Sequence, residues 1–118
     1  MTFDTKLANR IREYFLQFSN LKIEEKKMFR GLTFMINGKM CVSVSGDRMM
    51  CRIDPGVYDA AIAKKNVRPV IMGGKEYRGF VYVDEASLNN QKEFDHWITL
   101  ALDFNKVAKS SKKSKKRT

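Results

Sequence analysis

Two short apolar runs folded about Asn37-Gly38 constrain this chain more than any other feature. Residues 31–44 read GLTFMINGKMCVSV. An Asn-Gly pair between apolar runs is the strongest short hairpin signal, because a two-residue type I′ turn needs positive φ at both positions. Taken literally, the turn pairs Ile36 with Lys39, Met35 with Met40, Phe34 with Cys41 and Thr33 with Val42. Both faces of that hairpin are then apolar. Thr33, Met35, Met40, Val42 and Val44 share one, and Leu32, Phe34, Ile36 and Cys41 share the other. Helices cover one face of an antiparallel sheet, so the second apolar face points to a protein partner, a homodimer or a ligand. Methionine adapts to irregular contacts and fills cores equally well, so Met35 and Met40 fit either role.

The other elements follow from period and caps. Residues 4–18 read as an amphipathic helix with Leu7, Ile11, Phe15 and Phe18 on one stripe and Asp4 or Thr2 as its cap. A strand at Lys26–Phe29 precedes the hairpin, and a turn at Ser45-Gly46-Asp47-Arg48 leads into another strand at Met49–Ile53. Asp54-Pro55 reads as a helix start, with Val57, Tyr58, Ala61 and Ile62 as a buried stripe to about Lys65. Val67–Met72 and Tyr77–Val83 are strands joined through Gly73-Gly74-Lys75. Asn90 and Glu93 have capping-box spacing ahead of a last helix that carries Phe94, Trp97, Ile98, Ala101 and Leu102 to about Val107. The order α-β-β-β-β-α-β-β-α lacks sustained strand-helix-strand alternation. It predicts a two-layer α+β fold, a mainly antiparallel sheet of about five or six strands with three helices on one face.

Charge decides where an anionic partner could bind. The chain has 118 residues, room for one domain, and a formal net charge of +10. From Lys106 to Thr118 there are seven bases and no acid, which leaves 16 bases against 13 acids on residues 1–105, a net +3. Ser110–Thr118 holds only Ser, Lys, Arg and Thr, with nothing apolar to bury, so a flexible tail is expected there. The expected division is a folded body over residues 1–108 and a basic tail over 109–118. Such a tail acts either as a solubilising terminus or as an arm on nucleic-acid phosphates. No uncharged stretch approaches the roughly 18 residues of a membrane span. The N-terminus has an acid at position 4 and no apolar run behind it, so no signal peptide is expected and the chain reads as cytoplasmic.

Tests for chemistry return little. His96, the only histidine, sits beside Asp95 and Trp97 on the polar side of the last helix, without an evident nucleophile to activate. Cys41 and Cys51 fall on adjacent strands; a three-residue loop between them puts them opposite each other, and a two-residue loop puts them on opposite faces. Either way they read as small, reduced, half-buried hydrophobes, too few to complete a zinc tetrahedron. Gly73-Gly74-Lys75 lacks the spacing of a phosphate loop. No metal, cofactor or enzymatic activity is expected. Arg78-Gly79-Phe80-Val81-Tyr82-Val83 partly matches the signature of RNA-recognition motifs, in which sheet aromatics stack on bases; strand alternation puts Phe80 and Tyr82 on one face with Arg78.

Three segments taken together resemble a known family. MFRGLTFMINGKM at 28–40, VRPVIM at 67–72 and GFVYV at 79–83 are similar to the N-terminal domain of the TfoX/Sxy family of bacterial competence regulators. The matching positions are Met28, Phe29, Gly31, Phe34, Met35, Gly38, Lys39, Met40, Asp47, Arg52, Arg68, Pro69, Met72, Gly79 through Val83, and Trp97. The resemblance implies a two-layer α+β fold like that of secretion chaperones and a role in transcription regulation without catalysis. Full-length members of the family act with the cyclic-AMP receptor protein and carry a second, helical domain, for which this sequence shows no counterpart. Arg30 stands where the family often has a second Gly. Two functional expectations result. The first is a regulatory domain that binds a protein partner through a sheet surface with Phe34, Met35, Met40, Phe80 and Tyr82. The alternative is a nucleic-acid-binding accessory protein using Arg52, Arg68, Lys75 and Arg78 with the tail bases Lys112, Lys113, Lys115, Lys116 and Arg117.

Overall fold

The computed structural model describes residues 4–28 and 31–108. Phe29 and Arg30, and the tail bases Lys112, Lys113, Lys115, Lys116 and Arg117, lie outside the described residues. Helix α1 (Thr5–Leu16) starts at Asp4, whose Oδ1 accepts from the backbone N–H of Lys6 at 2.8 Å and of Leu7 at 3.4 Å. Six strands follow: β1 (Ile23–Met28), β2 (Gly31–Ile36), β3 (Lys39–Ser45), β4 (Arg48–Arg52), β5 (Val67–Met72) and β6 (Lys75–Val83). They form one sheet in the order β1-β2-β3-β4-β6-β5, antiparallel throughout. The chain crosses from β4 to the far edge through a 3₁₀ turn (Pro55–Val57) and helix α2 (Tyr58–Ile62), then returns along β6 between β5 and β4. A short helix α3 (Glu85–Leu88) and a long helix α4 (Gln91–Asn105) complete the α+β fold. The open antiparallel sheet is the expected one; α3 is an added turn of helix with no strong local signal. Its N-cap Asp84 makes no capping bond, because the carboxylate takes Arg68 Nε at 3.0 Å instead.

The β2–β3 turn is the one expected, with Asn37 at φ 54° and Gly38 at φ 81°. Its register departs from a regular ladder. Ile36 pairs with Lys39 and Met35 with Met40, but Phe34 then pairs with Val42 and Thr33 with Ser43. Cys41 is the extra residue of a β-bulge, which shifts the alternation of β3 by one. The expected pairs Phe34–Cys41 and Thr33–Val42 are therefore corrected. The bulge turns Val42 and Val44 to the side of Leu32, Phe34 and Ile36, where all five join the core under the helices. It also settles the cysteines. Gly46-Asp47 is a two-residue connection, yet Cys41 and Cys51 lie in the same core, because the bulge offsets the alternation.

All four helices pack on that one side. Leu7, Ile11 and Phe15 of α1, Tyr58 and Ala61 of α2, Leu88 of α3, and Phe94, Trp97, Ile98, Ala101 and Leu102 of α4 join the strand residues in a single cluster. Phe15 and Phe34 meet at 6.2 Å between ring centroids and are almost completely buried. Burial of each is worth roughly 1.5–3 kcal/mol. The expected capping box on α4 is half made: Asn90 Oδ1 accepts from Glu93 N at 3.2 Å, while the Glu93 carboxylate accepts from Trp97 Nε1 at 3.3 Å. At the other end of α4, the buried Asn105 amide donates to Ile36 O at 3.2 Å and Lys39 O at 3.5 Å, tying the helix to the first hairpin. At the edge next to that hairpin, the Arg12 guanidinium grips Glu25 of β1 through two 2.7 Å bonds. That hydrogen bonding holds the Glu25 carboxyl below its ordinary range.

Two outcomes follow from these contacts. A Cβ on Gly31 would lie 1.8 Å from Val44 O, so Gly31→Ala forces β2 and β3 apart. A loss of about 2 kcal/mol or more is expected in urea denaturation. The Arg12–Glu25 pair, partly exposed, is worth up to about 1 kcal/mol. Because its carboxyl is depressed in the folded chain, that stabilisation is present above the ordinary Glu value and fades as pH falls through the lowered one. Arg12→Met should therefore be less stable than the parent near neutrality and indistinguishable from it in strong acid, as read by denaturant midpoints.

Candidate interaction face

The side of the sheet without helices carries its own small core. Met35, Met40, Met50 and Val70 are buried there, and half-buried Met72, Phe80 and Tyr82 pack against them. Thr33 and Ser43, paired across β2 and β3, join their hydroxyls at 3.0 Å, and Ser43 donates on to Leu32 O, so both polar groups are satisfied though fully buried. The methionines expected to form an open apolar surface are thus roofed over: Met35 is 6% and Met40 4% exposed. Phe34 drops out of that surface altogether: it alternates with Met35 along β2 and lies in the helix-side core at 0% exposure.

Above the methionines lie aromatic rings with cations across them. The Arg48 guanidinium sits 3.9 Å from the Tyr82 ring centroid, Arg52 5.8 Å from Phe80, and Lys75 Nζ 5.7 Å from Tyr77. Tyr77 and Phe80 meet edge to face at 6.5 Å between centroids. Arg68 stands opposite Tyr82 on β5 and holds Asp84. Of the cations expected from the sequence, Arg68 stands across from Tyr82, Lys75 lies by Tyr77 at the hairpin end, and Arg52 sits between Phe80 and, at 5.7 Å, Phe104 of α4. Arg48 joins them although turn chemistry alone assigns it to the β3–β4 turn; the alternation Arg48, Met50, Arg52 along β4 is the signal that finds it.

Arg78 is not part of this face. It pairs with Asp59 at 2.9 Å and lies over the Tyr58 ring at 4.8 Å, on the helix side. Strand alternation fails at Gly79, whose φ of +100° is open to glycine but strained for other residues. Gly79 O accepts from Ile53 N at 2.7 Å, which holds that kink. The expectation that Arg78 shares a face with Phe80 and Tyr82 is corrected accordingly. Beside it, burial, helped by the Glu76 carboxylate that accepts the Tyr58 hydroxyl, pushes the Tyr58 phenol up to about 12.

The candidates for chemistry lie away from this face. Burial raises the Cys41 thiol to about 12 and the Cys51 thiol well above its ordinary value. His96 is exposed, edge-on to Trp97 at 5.0 Å, in an open groove of about 200 Å³ between α2 and α4. Among the described residues no group of three or more His, Cys, Asp or Glu is placed to hold a metal ion. No helix among them is long and apolar enough to cross a membrane.

Among the described residues, the fold and face together define an α+β domain with one side of its antiparallel sheet sealed by helices and the other closed by side chains. The model of the TfoX N-terminal domain matches residues 14–105, from within α1 to the last residue of α4. The chain belongs to that family. No match was found among curated proteins or among solved structures.

Thiol accessibility tests the core. With both thiols buried and their thiolates suppressed, the native chain should resist a disulfide reagent at mildly alkaline pH and react at two sites once unfolded in urea. Rapid reaction of the native chain would mean that the helix layer does not seal β3 and β4.

Proposed function

We propose that this chain is a competence-regulator-like interaction domain, non-enzymatic and cytoplasmic, that receives an anionic partner on the helix-free face of its sheet. The observation that carries the reading is the placement of Arg48, Arg52, Arg68 and Lys75 along the row of Tyr77, Phe80 and Tyr82. Of the acids on this side, Asp84 is engaged by Arg68 and Glu24 belongs to the distant edge strand β1. Arg, Tyr and Phe are the residue types that anchor interfaces, and cations grouped on one face speed and orient the approach of an anion. The sheet edges support a face-on contact. Strand β1 carries Glu24, Glu25, Lys26 and Lys27, and β5 carries Pro69, features that discourage the addition of another strand. A second copy of the chain fits poorly, since two such faces would set like charges against each other. The suppressed thiols and the placement of His96 support the absence of catalysis.

Heparin, a generic polyanion, tests this reading with the full chain. Arg48→Glu/Arg52→Glu/Arg68→Glu should elute at clearly lower salt than a control with equal charge change on the helix side, Lys64→Glu/Arg78→Glu/Lys92→Glu. Thermal melting of both variants establishes that they are folded. Equal elution of the two variants would sink the assignment of the face and leave charge alone as the cause of retention.

A further inference from the structure

We infer that the anion is a single-stranded nucleic acid laid across β4, β6 and β5, with bases on the Phe80 ring and on the Arg48 guanidinium that covers Tyr82, and phosphates on Arg52, Arg68 and Lys75. The inference rests on the reading of this face as the anion-receiving surface and adds what kind of anion it takes.

Ring spacing is the first argument. Phe80 and Tyr82 are two residues apart on one face of β6, and so about 7 Å apart along the strand. That is about twice the roughly 3.4 Å rise of one strand in B-form DNA, so a base on Phe80 and a base above Tyr82 and its guanidinium are parted from each other. An unstacked single strand satisfies this; a duplex does not. Both rings are wedged against Met50, Val70 and their neighbours, which leaves little side-chain freedom to lose on binding.

The cations supply the second argument. A guanidinium over a ring is held by the ring's negative face and still carries N–H donors for a phosphate. Arg48 sits over Tyr82 at 3.9 Å, so one side chain caps that ring and brings donors to the face. Arg68, directly across from Tyr82 on β5, brings a second guanidinium to the same row.

Size bars one mode of duplex binding by a separate route. Six strands spaced about 4.8 Å apart make a face about 24 Å wide, twice the roughly 12 Å of a DNA major groove, so the face cannot enter it.

Fluorescence anisotropy of a labelled deoxythymidine oligomer of about 12 nucleotides, titrated with the full chain near 0.1 M salt, tests the inference. The oligomer should bind more tightly than a duplex of equal length, with affinity falling as salt rises. Phe80→Leu/Tyr82→Leu keeps apolar bulk under the face and removes the planes; it should weaken binding by about tenfold or more while heparin retention persists. Arg48→Glu/Arg52→Glu should flatten the salt dependence by about 0.7 for each phosphate that the variant no longer neutralises. Thermal melts of each variant guard against misfolding. If the leucine variant binds the oligomer as well as the parent, or the duplex is preferred, the inference is overturned while the anionic face stands. Equal competition by polyglutamate would overturn it in favour of an acidic polypeptide. Heparin retention that ignores the face would overturn both.

Discussion

A six-stranded antiparallel sheet has two faces to keep from water, and the helices of this chain all pack on one of them. The helix side is a conventional layer: α1, α2, α3 and α4 lay their apolar stripes on alternate residues of β2, β3, β4 and β6. The other side must be closed by the strands' own side chains. Four short or flexible apolar residues, Met35, Met40, Met50 and Val70, lie flat at the bottom, and Phe80, Tyr82 and Met72 lean over them. Arg48 and Arg52 then lie over the rings. Methionine suits the bottom layer because its unbranched chain fills irregular gaps beneath larger rings. A face closed in this manner is cationic outside and apolar only a few ångströms below.

Two backbone irregularities make this division workable. The bulge at Cys41 carries Val42 and Val44 to the helix side and aligns Thr33 with Ser43 on the other, where a hydroxyl pair replaces what would have been valines. The kink at Gly79 sends Arg78 and Glu76 toward α2, and leaves Tyr77, Phe80 and Tyr82 on the open face. Without the first, the open face would hold two more β-branched residues. Without the second, it would trade Tyr77 for Arg78. Each irregularity lies in the interior of a strand and is held by the neighbouring chain, Gly79 by Ile53 and the bulge by its two flanking pairs.

The long helix and the edge strand are bound to the sheet by polar clips rather than by burial alone. Asn105 satisfies two carbonyls at the end of the first hairpin, and the start of α1 is held by Asp4 N donating to Gly46 O at 2.7 Å. A buried carbonyl without a partner costs about as much as a missing hydrogen bond, so these clips define register as well as adding stability. Strand β1 lacks an apolar stripe and depends on its ladder to β2 and the grip of Arg12 on Glu25.

Much of this is legible in the residues. The order of elements, the Asn37-Gly38 turn, the caps at Asp4, Asp54 and Asn90, the antiparallel sheet and membership of the TfoX N-terminal domain family all rest on local signals: period, turn chemistry and motif. Strand β1 is legible only in part, because an edge strand of Glu and Lys carries no alternation to detect. The placement of Arg48, Arg52, Arg68 and Lys75 along the row of Tyr77, Phe80 and Tyr82 required the tertiary structure. β6 lies between β4 and β5 in space though not in sequence, and only that insertion brings arginines from two strands to one row of rings. Alternation alone assigns Val42, Val44 and Arg78 to the wrong side for a related reason. A single bulge or a single positive φ inverts every side chain beyond it, and whether a strand adopts one is decided by what its neighbours must pair with and bury.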